Sequence, residues 1–122
     1  MREIKFRAWF EKFKEMYTVK MIDLQKEIAY FDKYNYRSFY DTDLMEYTGL
    51  KDKNNKEIYE GDIVIHHSKM YNIIFNAEEA RFVLRDDEFE LEIPFTNNNN
   101  KRMEIVGNIY ENPELLGDKN DF

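Results

Sequence analysis

The sequence predicts a mainly β protein whose C-terminal part is a small barrel or rolled sheet. Three observations carry that prediction. Five short apolar runs, at 63–67, 71–75, 81–84, 89–93 and 103–110, follow one another at close spacing with turn-prone or charged residues between them. The opening segment alternates apolar and charged residues with the period of a strand. The aromatic share is 16%, with ten Phe and nine Tyr, which supplies the apolar area a packed core needs and excludes disorder.

The elements follow in order. Ile4, Phe6 and Ala8 alternate with Lys5, Arg7 and Trp9, the mark of a half-buried first strand. Residues 11–15 form a charged connection, and 16–19 open a second β-rich run. The segment 21–33 fits two templates. Met21, Leu24, Ile28 and Phe31 match a helical stripe, while 18–22 and 28–31 suit the arms of a hairpin, which is the reading adopted. The tract 35–43 is aromatic and polar without a clear period, so it reads as a loop or irregular crossover. Pro94 and the four asparagines 97–100 end the fourth of the later strands in a polar loop. Asn112, Pro113 and Glu114 supply an N-cap, a first-turn proline and a first-turn acid, so 112–116 forms one helical turn closed by Gly117.

The stretch LMEYTGLKDKNNKEIYEGDIV, residues 44–64, is the most unusual in composition. Gly49 stands where a positive φ lets the chain change direction, Asn54-Asn55 suits the left-handed positions of a hairpin, and Gly61-Asp62 leads into an apolar strand. A calcium loop fails here: counted from Asp52, the fifth and sixth positions are Lys56 and Glu57; counted from Asp41, the fifth is Met45. A phosphate loop fails too, since neither glycine is followed by Lys-Ser/Thr or a helix start. The stretch reads as scaffold.

At 122 residues the chain fits one domain with a modest core. It holds no cysteine, which removes disulfides, thiolate nucleophiles and Cys-bound zinc. Charges interrupt every apolar run at the N-terminus, so a signal peptide and a membrane span are not expected and the chain reads as soluble and cytoplasmic. The net charge of −7 opposes general binding to duplex DNA. Residues 1–20 carry six basic and three acidic side chains, net +3, leaving 12 against 22, net −10, for the rest. That asymmetry favours self-association or a local basic patch over uniform repulsion.

Four side chains are candidates for partner binding. In the run 86–93, Phe89, Leu91 and Ile93 are expected to face the core while Glu88, Glu90 and Glu92 form an outward acidic ridge spaced about 6.7 Å apart, fit for a basic partner. Trp9 is the fourth, as an anchor for assembly. The aromatic tract Tyr30, Phe31, Tyr34, Tyr36, Phe39 and Tyr40 could stack on nucleobases, but only Lys33 and Arg37 accompany it, so core or interface packing is the better reading. His66 and His67 point to opposite faces of a regular strand and so cannot chelate one ion there. A hydrolase using either with a carboxylate is the weaker alternative, since no nucleophile or oxyanion hole is in view. No catalytic, cofactor or metal residues are assigned.

REIKFRAW at 2–9, LMEYTGLKDKNNKEIYEGDIV at 44–64 and EIVGNIYENPELL at 104–116 resemble the three signature blocks of the YopX family of bacteriophage and prophage proteins. Two positions depart from the family pattern: Asn55 stands where a glycine is usual, and Phe10 where an acid is usual. The resemblance implies an N-terminal β-rich segment at 1–43, an SH3-like barrel at 44–116 and a frayed tail at 117–122. It also implies phage or prophage origin and a homo-oligomer; the missing catalytic constellation and the unbalanced charge add the expectation of a non-enzymatic protein that acts in the host bacterial cytoplasm on a host or phage protein partner. The resemblance carries over no activity and no catalytic residue. A nucleic-acid-binding barrel remains the alternative, and needs the basic residues of the first strand to converge with Arg81, Arg85, Lys101 or Arg102.

Overall fold

The computed structural model describes residues 3–117, and the protein is mainly β. The expected frayed tail lies outside the described residues apart from Gly117. The chain divides into two units, one ending at Tyr47 and one beginning at Thr48.

In the first unit, β1 (Phe6–Phe10) lies between β2 (Glu15–Thr18) and the first half of β6 (Asp43–Lys51), antiparallel to both. The hairpin expected within 21–33 is present: β3 (Met21–Asp23) pairs with β4 (Ile28–Tyr30), and Ala29 is fully buried. Asp23 Oδ1 accepts from Lys26 N at 3.0 Å and Glu27 closes the turn at φ 57°. The tract 35–43 is more regular than its composition suggests. A third strand, β5 (Tyr36–Ser38), pairs with β4, and a 3-10 turn, Phe39–Asp41, follows with the Ser38 hydroxyl accepting from Tyr40 N. Tyr17 stacks on Phe31 with centroids 4.4 Å apart, and Arg37 lies over the Phe10 ring. Phe31 is thus engaged in packing within the unit, whereas Tyr34, Tyr36 and Tyr40 of the same aromatic tract stay exposed.

In the second unit, β6 continues and makes a hairpin with β7 (Glu57–Tyr59). The five later strands all form: β8 (Asp62–His66), β9 (Lys69–Asn76), β10 (Arg81–Asp86), β11 (Leu91–Pro94) and β12 (Glu104–Asn108). They make one antiparallel sheet in the order β11-β10-β9-β8-β12, curled as a half-barrel, with β11 and β12 as its edges. Its core face joins Val64, Tyr71, Ile73 and Leu84 to Ile58 and Met103, with Phe82, Phe95 and Ile105 packed around them.

The 44–64 stretch is scaffold, as its composition indicates. Asp52 is 4% exposed and accepts three backbone N–H bonds, from Asn54 (2.8 Å) and Lys56 (2.9 Å) on Oδ1 and from Ile105 (3.0 Å) on Oδ2. Asn55 takes φ 64°, and Gly49 and Gly61 take φ near 90°. Gly61 donates to Ile73 O and accepts from Ile109 N, so its backbone bridges two parts of the sheet. At the C-terminal end Pro113–Leu116 form the expected turn closed by Gly117 at φ 88°. Asn112 does not cap it with its side chain; its Oδ1 instead accepts from Asn108 N, 3.2 Å away.

Candidate functional site

The acidic segment differs most from its sequence reading. The strand expected over 89–93 begins only at Leu91, because a four-residue turn occupies 87–90. Asp86 starts that turn: its Oδ1 accepts from Glu88 N at 3.0 Å and from Phe89 N at 3.4 Å, and Glu90 completes it at φ 53°. The turn consumes the residues that alternation assigned to a pleated row. Phe89, Leu91 and Ile93 consequently stay exposed, at 58%, 57% and 36%, and do not enter the core.

Glu88, Glu90 and Glu92 therefore do not form one ridge. Glu88 and Glu90 project from the turn, while Glu92 lies on the edge strand and is already partnered. Asn76 Nδ2 donates to it at 2.8 Å, and Arg85 lies 3.8 Å away. Arg85 also contacts Asp87 at 3.3 Å. Trp9 is 2% exposed, and its indole N–H donates to Glu11 Oε2 at 2.6 Å. Its ring is buried, which leaves little indole surface for a partner.

Under the turn lies a feature that the sequence reading missed. Lys69 Nζ reaches Asp86 Oδ2 at 2.6 Å, and the Asp86 side chain is 5% exposed. The lysine hydrogen bond holds the Asp86 carboxyl below its ordinary range, and the same bond raises the Lys69 ammonium. Beside this pair is a cavity of about 150 Å³ lined by Lys69, Met70, Asp86, Asp87, Glu88, Leu115 and Leu116. Carboxylates rim it, and Met70, Leu115 and Leu116 supply an apolar wall. The signal available in the sequence was Asp86 itself, an Asx residue four positions before a left-handed one.

The histidines also depart from expectation. His66 ends β8, but His67 takes φ 53° and Ser68 φ 64°, so His67 lies on the hairpin tip and not in the strand. The rings share one side, with centroids 4.0 Å apart. Burial first, then the neighbouring His67 and Arg102, lower the His66 pKa and favour its neutral form. Among the described residues, no group of three or more His, Cys, Asp or Glu could hold a metal ion, and no helix is long and apolar enough to cross a membrane. Of the basic residues required by a nucleic-acid reading, Arg81 pairs with Glu79 at 3.3 Å and Arg85 with Asp87 and Glu92.

Comparison with known proteins places this fold. The chain is similar to the crystal structure of protein EF1440 from Enterococcus faecalis, with 30% identity and a TM-score of 0.75 over 95% of this chain and 99% of that one. It shares its fold with protein yopX from Bacillus subtilis, at 15% identity and a TM-score of 0.55 over 97% of this chain and 98% of the other. No curated protein matches the chain. The profile of the YopX protein family matches residues 5–117, and the chain belongs to that family.

Proposed function

We propose that this chain is a phage- or prophage-encoded accessory protein, non-enzymatic, that acts in the host cytoplasm by docking a basic segment of a partner protein on the turn 86–90. The observation that carries the reading is the acidic, apolar-walled cavity beside Asp86. Glu88 extends its carboxylate rim, and the exposed Phe89 and Leu91 lie next to it in the chain. A lysine or arginine side chain fits such a lining, its charge against Glu88, since Asp86 and Asp87 are paired with Lys69 and Arg85, and its stem along Met70, Leu115 and Leu116. The charge asymmetry between residues 1–20 and the rest supports self-association as a second part of the same reading.

The test is affinity capture during infection with the wild-type chain and with a Glu88→Lys/Glu90→Lys variant. Both substitutions lie on exposed turn positions outside the strand pairing, so the fold is retained. A partner held by the wild type and lost by the variant supports the reading. Identical partners for both remove the turn from it.

A further inference from the structure

A second cluster, separate from the acidic turn, gathers two imidazoles and a guanidinium on an otherwise acidic chain. It is built by the β8–β9 hairpin and the 3-10 turn Asn100–Arg102. The His66 and His67 rings lie 4.0 Å apart because the hairpin tip reverses at His67. β12 runs antiparallel to β8 with Glu104 opposite Ile65, where the pairing ends, so Met103 comes next to His66 and Arg102 follows directly in the chain, near enough for its charge to act on His66. Met103 is fully buried in the core with Val64 and Tyr71, which anchors that end of the turn.

The neighbouring charges are already engaged. Lys69, opposite His66 in the hairpin, is held by Asp86, and Glu104 is paired with Lys53 at 3.3 Å. Arg102 is different: its guanidinium makes no hydrogen bond or ion pair with any described residue, and Lys101 beside it is likewise exposed. His66 is 8% exposed, and its Nδ1 is enclosed with no hydrogen-bond partner. An unmet buried acceptor is tolerated better than an unmet buried N–H. We therefore assign the proton of the neutral ring to Nε2, which makes His66 a donor at its other end.

We propose that His66, His67 and Arg102 form a subsite for a phosphate dianion, free or as a monoester. The three side chains supply donors and no acceptor carboxylate. The planar guanidinium offers two parallel N–H groups to two phosphate oxygens, and the imidazoles add one donor each. A divalent cation does not suit the same place, because Arg102 repels it and no carboxylate completes a ligand set. The subsite stands independently of the docking turn and survives its failure.

The experiment is an NMR titration of the two imidazole rings in the full chain, with inorganic phosphate, with a nucleoside 5′-monophosphate, and with chloride at matched ionic strength. Both rings shift saturably with phosphate and not with chloride. Protonation of His66 moves to higher pH when phosphate is bound, because the anion favours the imidazolium in the presence of His67, Lys69, Lys101 and Arg102, with Asp86 and Glu104 already neutralised. Arg102→Gln, at an exposed position, keeps the fold and weakens binding about tenfold or more. Tighter binding of the monoester identifies an esterified ligand, and equal or weaker binding identifies free phosphate. Shifts that follow ionic strength alone, or wild-type binding by Arg102→Gln, overturn the proposal.

Discussion

Lys69 Nζ lies 2.6 Å from Asp86 Oδ2 and 4.2 Å from the centre of the Phe89 ring, so one ammonium ties β9 to the turn that follows β10. The carboxylate uses its other oxygen to accept the backbone of that turn. One side chain thus shapes the turn and anchors the proposed docking surface.

The pair gives the protein a pH dependence of definite sign. The folded Asp86 pKa is depressed, so its contribution is present above the unfolded carboxylate value and is lost as pH falls through the folded one. The folded Lys69 pKa is raised, so its contribution is present below the unfolded lysine value and is lost as pH rises through the folded one. Thermal unfolding followed across acid pH is expected to show a smaller decline for Asp86→Asn than for the wild type. Parallel curves for the two proteins would exclude this origin.

Asp52 satisfies three backbone donors while nearly enclosed. Asp52→Ala strands all three and is expected to cost about 2–4 kcal/mol in chemical denaturation. Asp52→Asn keeps one acceptor oxygen and is expected to cost less.

Gly107 sits where the β8–β12 register shifts, and a Cβ there would stand 2.6 Å from Asn112 Oδ1, the oxygen that accepts from Asn108 N. Gly107→Ala is expected to destabilise by about 1–3 kcal/mol, through overpacking and loss of that bond. Adding Asn112→Ala should recover part of the loss, a double-mutant coupling measurable by the same unfolding assay.

Glu90 holds φ 53° on an exposed turn position. Glu90→Gly removes the left-handed strain and is expected to add about 0.5–1 kcal/mol of stability. Glu92→Lys acts oppositely, since it places a positive charge beside Arg85 and removes the Asn76 contact. Urea midpoints that move in the same direction for both substitutions would contradict this assignment.

The strands were legible because their apolar runs are short and bounded, and the hairpin within 21–33 was legible because β-rich arms flank it. The turns were less so. Sequence reading looks for glycine and asparagine at left-handed positions, whereas Lys14, Glu27, Ala80 and Glu90 occupy them here. In three cases an Asx residue four positions earlier forms the turn by accepting backbone N–H groups: Asp23 before Glu27, Asn76 before Ala80 and Asp86 before Glu90. Overlooking the third of these extended the start of β11 by two residues and turned an exposed edge into an expected acidic ridge. His67 was misplaced for a related reason, because a positive φ at a non-glycine residue bends the strand where its β-rich sequence does not. The Lys69–Asp86 pair is a contact between neighbouring strands, and becomes visible only once the register of β9 against β10 is known.

The most direct test of the docking account is a reciprocal charge exchange with a captured partner. The Glu88→Lys/Glu90→Lys variant should lose that partner, and reversing the partner's own basic residues to acidic ones should restore the complex. Loss without restoration, or binding that ignores both changes, would contradict an electrostatic docking role for the turn.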